Sequence, residues 1–262
     1  MQVTTQMKKI MVVEDDDALQ EVISTILGML GYEVCGVVDT GEGAIGEAIE
    51  HRPDLALMDI NLPGHMDGIE AAPFLIDILD IPVVFMSGGL PKERMEAAMG
   101  TGPVAFQEKP FSGKDLHQVI EVGLATHAIR KKVQQQEVVS FTFPPPESPF
   151  LLTNAGGPVV YASPGARTRA PHGRTRGPMV PLQDYLAAMS PGGVPAHAGC
   201  RGTGMPCPES QESCEAEQGT KWPLTFRPLF SRQGKTIGQL VEIGDGTGNR
   251  AGACGCRGEV PV

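Results

Sequence analysis

A chain of 262 residues with 41% apolar side chains can bury one large core or two ordinary ones, and its formal net charge is −10. That charge is uneven: up to Arg130 roughly 21 acidic residues face about 8 basic ones, and the remainder holds about 10 and 13. An acidic first part argues against nucleic acid, whose affinity comes mainly from cations on phosphates. The absence of about 18 consecutive apolar residues argues against a membrane span, and six cysteines in this length do not form a secreted disulfide pattern. With no basic segment leading an apolar core at the N-terminus, the expectation is a cytoplasmic protein.

From residue 8 to about 130, short β-branched runs alternate with helical patterns. Strands are predicted at Lys9–Val13, Glu33–Val38, Asp54–Met58, Ile81–Met86 and Pro103–Phe106, several of them apolar almost throughout, as in a parallel sheet covered on both faces. The first helix carries Leu19, Val22, Ile23, Ile26, Leu27 and Leu30 in one apolar stripe. Asp67 with Glu70 predicts the cap of a third helix, in which Pro73 removes a backbone donor, so that helix either begins near Pro73 or bends there. Ser112 with Asp115 predicts the cap of a last helix whose buried face holds Leu116, Val119, Ile120 and Leu124. Five βα units of this kind make an α/β fold, a doubly wound parallel sheet whose site lies at the carboxyl ends of the strands.

The last helix pattern runs on through Arg130–Glu137, and Phe143–Pro149 with its prolines then breaks it. The expected organisation is a first domain over 8–128, a helical extension and Pro-rich linker over 129–149, a smaller α+β domain over 150–248 and a disordered tail over 249–262. In the smaller domain, Leu151–Thr153 with Val159–Tyr161 reads as one hairpin and Trp222–Phe230 with Thr236–Ile243 as another, with a helix-like piece near Leu182–Met189. Cys200, Cys207, Cys214, Cys254 and Cys256 lack the paired spacing of a zinc site, so incidental thiols are the simpler reading. The arginines at 167, 169, 174 and 176 read first as a solvated loop and second as a basic patch.

Each strand end of the first domain brings a different chemistry. Glu14, Asp15, Asp16 and Asp17 follow strand one, Asp59 ends strand three, Ser87 ends strand four, and Lys109-Pro110-Phe111 follows strand five. Carboxylates converging on one crevice repel unless they share a hard cation, and Mg²⁺ takes such oxygen ligands. A lysine and a hydroxyl beside them could hold a phosphoryl group in line with an attacking carboxylate. Taken alone, an acid run is usually a solvated helix start, Lys109 a surface lysine and Phe106 simple core; four strand ends together point to a site.

The ordered set Val12-Val13-Glu14-Asp15-Asp16, Leu57 to Gly64 around Asp59, Ser87 and Glu108-Lys109-Pro110-Phe111 resembles the receiver domains of two-component response regulators, the CheY-like family with its flavodoxin-like fold. The resemblance implies that Asp59 accepts a phosphoryl group from a sensor histidine kinase or a histidine phosphotransfer protein. It further implies that Asp15, Asp59 and the carbonyl of Asn61 ligate Mg²⁺, with Glu14 acting through a metal-bound water. Lys109 and Ser87 would bind the phosphate, and Ser87 with Phe106 would form the switch. This chain departs from the common pattern in having Gly88-Gly89 after Ser87, a phenylalanine rather than a tyrosine at 106, and Pro73 in the third helix. Residues 150–248 resemble a PAS domain, implying an antiparallel sheet that binds a ligand or a second subunit, so a homodimer is one expectation. The implied function is phosphorelay signalling rather than an enzyme acting on an outside substrate. The alternative is a DNA-binding transcriptional regulator, for which the Gly/Pro-rich second half offers no two adjacent amphipathic helices.

Overall fold

The computed structural model describes residues 7–134, 144–145, 147–169, 180–182, 185, 211–215 and 221–244. The expected tail, most of the linker, Leu186–Met189, Arg174, Arg176 and all the C-terminal cysteines except Cys214 lie outside the described residues.

The first sheet is built from β1 (Lys9–Val13), β2 (Glu33–Val38), β3 (Leu55–Asp59), β4 (Val83–Ser87) and β5 (Ala105–Glu108) in the order β2-β1-β3-β4-β5. Every neighbouring pair is parallel. The helices α1 (Asp17–Met29), α2 (Gly41–His51), α3 (Gly68–Pro73), α4 (Lys92–Gly100) and α5 (Gly113–Gln134) connect and cover it. Successive side chains of a strand point to opposite faces, and the core divides accordingly. Ile10, Val12, Leu55, Leu57, Val84 and Met86 pack under α1 and α5 with Ile23, Leu27, Leu116 and Ile120. Met11, Val13, Ala56, Met58, Val83 and Phe85 face the other way, toward Ile45, Ala48, Ala71 and Leu75 of the opposite layer.

Local signals set the helix ends. Asp16 caps α1 by accepting from the backbones of Ala18 at 2.9 Å and Leu19 at 3.1 Å. Asp67 and Glu70 form a reciprocal capping box at α3. The helix therefore starts at Gly68 rather than near Pro73, and it is not broken by the proline. Instead the backbone widens immediately after it into a π turn over Phe74–Ile78, closed by Leu79 N–H donating to Phe74 O at 3.0 Å. A missing donor is where a helix can take up an extra residue cheaply. Ile81 N–H then donates to Leu75 O, which is why β4 starts at Val83 and not at Ile81. The apolar stripe expected of α1 is buried at Ile23 and Leu27 but not at Val22, which is 51% exposed.

A second, antiparallel sheet follows: β6 (Phe150–Asn154), β7 (Pro158–Ala162), β8 (Val180–Pro181), β9 (Gln211–Glu215), β10 (Lys221–Phe230) and β11 (Thr236–Ile243), in the order β8-β7-β6-β11-β10-β9, with a short α6 (Pro164–Arg169). Both predicted hairpins are present. One face of this sheet buries Leu151, Val159, Leu224, Val241 and Ile243 with Ala166 and Tyr185. The other presents Phe150, Leu152, Val160, Tyr161, Leu229 and Leu240 to the first sheet's α2–α3 layer, in one continuous cluster with Phe74 and Leu75. Gly238 makes that approach possible, because a Cβ there would lie 3.2 Å from the Phe74 ring and would run into the Thr153 carbonyl. Polar ties ring the junction. Tyr161 donates to Glu50 at 3.4 Å, Arg232 pairs with Asp77 at 3.2 Å and donates to Ile76 O at 3.0 Å, and Gln233 donates to Gly100 O at 2.7 Å.

Candidate phosphoryl-acceptor site

Parallel strands of similar length end at one edge, and there the sheet collects its polar side chains. Asp59 is the last residue of β3, opposite Met86, so Ser87 stands one residue beyond at the same edge. Glu14 follows β1, its N–H bonded to Val38 O at 2.9 Å. Lys109 follows β5, held by its N–H to Ser87 O at 2.7 Å, with a cis peptide bond to Pro110. Buried polar residues are few in this structure, and Glu14 (2% exposed), Asp59 (8%) and Ser87 (6%) account for three of them.

The Lys109 ammonium joins these strands. Its Nζ donates to Asp59 Oδ2 and to Glu14 Oε2, each at 2.6 Å. Such charge-assisted bonds are short and strong. Burial alone would lower the lysine's pKa, but the hydrogen bonds and charges of Asp59 and Glu14 raise it above its ordinary value, so the ammonium stays charged. Glu14 is pushed up by its burial, against the pull of Lys109, and the charges of Asp59 and Asp15 push in the same direction. Asp59 keeps Oδ1 turned to the Asn61 N–H at 3.0 Å. One of its oxygens thus meets the lysine and the other the following loop.

Glu14, Asp15 and Asp59 each offer a carboxylate oxygen, and these oxygens lie within 4.8 Å of one another. Three hard anionic donors around a point, one of them exposed, suit a small divalent cation that keeps some of its waters. Of the four-residue acid run only Glu14 and Asp15 belong to this cluster; Asp16 is spent on the α1 cap. Phe106 is half-buried, packed 5.6 Å from Phe85 ring to ring.

Two residues were not singled out from the sequence. Arg94 of α4 donates to Asp67 Oδ2 at 2.8 Å, to Asn61 Oδ1 at 3.0 Å and to Ile60 O at 3.4 Å. It ties α4 to the loop that begins immediately after Asp59. Its signal was a local anomaly: Lys92 and Arg94 put two cations in the first turn of α4, where the helix dipole disfavours them. Glu42, 7% exposed, steadies the same loop by accepting from His65 N–H at 3.2 Å. Close packing fixes the loop further, since a Cβ at Gly68 would strike the carbonyl of Asp59.

Residues 10–121 match the response regulator receiver domain family, and this segment of the chain is a receiver domain. Among curated proteins, the transcriptional regulatory protein PdtaR of Mycobacterium tuberculosis is 30% identical over 118 residues, covering 45% of this chain and 57% of PdtaR. A protein-glutamate methylesterase/protein-glutamine glutaminase of Syntrophus aciditrophicus is 35% identical over 108 residues, covering 40% of this chain and 31% of that protein. The chain thus spans from about a third to somewhat over half of these relatives. Among solved structures, the signal receiver domain of a modulated diguanylate cyclase from Desulfovibrio desulfuricans is 32% identical, with a TM-score of 0.46, over 48% of this chain and 99% of that one.

Proposed function

We propose that this chain is a phosphorelay signalling protein in which Asp59 takes a phosphoryl group from a sensor histidine kinase or a histidine phosphotransfer protein. The observation that carries this reading is the Lys109 ammonium held 2.6 Å from both Asp59 and Glu14 beside a third carboxylate, Asp15. An Asp59 oxygen attacks the phosphorus, the new P–O bond forms as the bond to the donor's nitrogen breaks, and the imidazole leaves with its electron pair. Lys109, already in place, moves from neutralising the carboxylate to neutralising the phosphoryl oxygens, so little reorganisation accompanies the transfer. Glu14, Asp15 and Asp59, with the Asn61 carbonyl, would hold Mg²⁺, which when bound spreads the phosphoryl charge. Ser87, one residue past the strand register of Asp59, would be the hydroxyl that meets an added phosphoryl oxygen, and its shift would draw Phe106 inward against Phe85.

The second sheet is read as a PAS-like sensory or dimerising module, supported by its antiparallel build. Output through DNA has less support. Among the described residues, 150–244 form six strands and the six-residue α6, with Leu182 and Tyr185 also helical, and no pair of adjacent amphipathic helices of the kind that enters a groove is described. The methylesterase relative is matched over 31% of its own length, and the regulator reading rests on the receiver match at residues 10–121. No helix among the described residues is long and apolar enough to cross a membrane.

The test is to offer the full chain acetyl phosphate with Mg²⁺ and follow its intact mass. One phosphoryl increment is expected in the wild type and none in Asp59→Asn. Equal labelling of both proteins would overturn the assignment.

A further inference from the structure

Between the two sheets lies a cleft of about 850 Å³, to whose lining Glu14, Asp15, Asp59 and Lys109 contribute nothing. One wall is α3 and the π turn, with the C-terminal end of α4; the other is the β6–β7 turn and the β10–β11 hairpin. Its volume is in the range of small-molecule sites. Its surface has two characters. Ile69 and Ile237, both half-buried, give it an apolar floor, backed by Met66 and Phe74, which are almost fully buried.

Charge is arranged around that floor unequally. Arg232 lines the cleft but is neutralised by Asp77 at 3.2 Å. Glu70 lines it too, with one oxygen committed to the α3 capping box. Arg130 and Lys235 also line it, and neither has a carboxylate partner among the described residues; Arg130 donates only to Gly102 O at 3.1 Å. Counting these five groups, and His65 as neutral, leaves one net positive charge in a protein whose overall charge is −10. These two cations, against a strongly acidic background, have no carboxylate partner among the described residues, and an apolar floor lies beside them.

We infer that this cleft is a binding site for an organic monoanion with an apolar body, in chemical terms an aromatic or alicyclic carboxylate of metabolite size. The ring would lie on Ile69 and Ile237, over the buried Phe74, and the carboxylate would face Arg130 and Lys235. Because the floor comes from the α3 layer on one side and the second sheet on the other, the ligand strengthens their docking, and binding and docking raise each other by the same factor. Asp59 takes no part in this cleft. Loss of labelling in the acetyl phosphate experiment would remove the phosphorelay reading and leave this one standing.

The experiment uses a fluorescent pair on the full chain: anilinonaphthalene sulfonate, a monoanion with an aromatic body, and its uncharged twin N-phenylnaphthylamine. Saturable binding of one sulfonate per chain is expected, with the uncharged twin weaker by about tenfold. Reversing Arg130→Glu and Lys235→Glu together should weaken the sulfonate by about tenfold and leave the twin unchanged, a modest factor because exposed ion pairs contribute little each. Ile237→Asp should weaken both. Thermal melting establishes that each variant is folded, and Arg130→Gln with Lys235→Gln replaces the reversal if it does not fold. Equal affinity for the two probes, or sulfonate binding unchanged in the charge variants, would overturn the assignment.

Discussion

Replacing Lys109 by methionine, which keeps the length of the side chain and removes its charge, tests the electrostatics of the site directly. The ammonium is 2.6 Å from two carboxylates whose residues are 2% and 8% exposed. Without it, two anions share one poorly solvated pocket. The cheapest escape is to protonate Glu14, whose pKa its burial already raises. From an ordinary value of 4.5, binding that proton at neutral pH costs about 3.4 kcal/mol, at roughly 1.36 kcal/mol per pH unit. The stability loss of Lys109→Met should therefore be about 3 kcal/mol at neutral pH. The sign follows from linkage. A carboxyl whose folded pKa is raised favours folding below its unfolded value and loses that contribution as pH rises, so the variant's deficit should shrink as pH falls toward 4.5. Mg²⁺ held by Glu14, Asp15 and Asp59 would replace the missing charge and should recover most of the deficit. Urea unfolding of wild type and variant across this pH range, with and without Mg²⁺, gives the numbers. A deficit that neither varies with pH nor responds to Mg²⁺ would refute the reasoning.

Three other outcomes are expected. Leu152→Ala removes a residue that is 1% exposed and lies in the cluster spanning both sheets, so about 2–5 kcal/mol should be lost. Amide exchange should then quicken in β3 as well as in β11; quickening confined to β11 would mean that the sheets unfold separately. Arg94→Ala should cost under about 1 kcal/mol of stability, because its pair with Asp67 is partly exposed. It should nevertheless slow acetyl phosphate labelling of Asp59 several-fold, and Arg94→Lys should not restore the rate, since a point charge cannot hold Asp67 and Asn61 together; an unchanged rate would remove Arg94 from the site. His127 titrates below its ordinary 6.5 because burial outweighs the pull of Asp80. A depressed folded pKa gives stability that is present above 6.5 and is lost as pH falls through the folded value, so His127→Gln should flatten the acid side of the stability profile, and an NMR midpoint at or above 6.5 would contradict it.

What the sequence made legible was local or periodic. Apolar runs placed all five parallel strands within two residues, and reciprocal Asp–Glu and Ser–Asp pairs marked the starts of α3 and α5, where Ser112 and Asp115 exchange hydrogen bonds. The clustering of Glu14, Asp15, Asp59 and Lys109 at one edge could be read because a parallel sheet brings its carboxyl ends together whatever the helices do. The end of β5 was harder, since Gln107 and Glu108 look like loop residues yet pair with Met86 and Ser87. The π turn was not legible at all: Pro73 announces a defect, but whether a helix kinks, starts or widens depends on where Leu79 and Ile81 find acceptors. The shared core was equally hidden, because nothing in Leu152 or Leu240 distinguishes a face that meets another sheet from one that covers its own helix.

The tethers of α4 show where motion is cheapest. This helix buries only Ala98 and leaves Met99 61% exposed, so packing holds it weakly by comparison with α1 or α2, and weakly packed elements are the first to move. Polar ties fix it instead, at both ends. Arg94 binds it to the loop after Asp59, and the carbonyl of Gly100 is held by Gln233 of the β10–β11 hairpin. The same hairpin grips the π turn through Arg232. Ahead of α4, Gly88 and Gly89 have open space around them, and Gly89 sits at φ +104°, a conformation that side chains resist. A displacement beginning at Ser87 therefore meets a permissive hinge, then a lightly packed helix, then a direct hydrogen bond into the second sheet. The alternative route runs through the cluster around Phe74 and Leu152, where close packing makes any shift expensive. Rigid core and loose tether together make α4 the element through which the two sheets can sense each other at least cost.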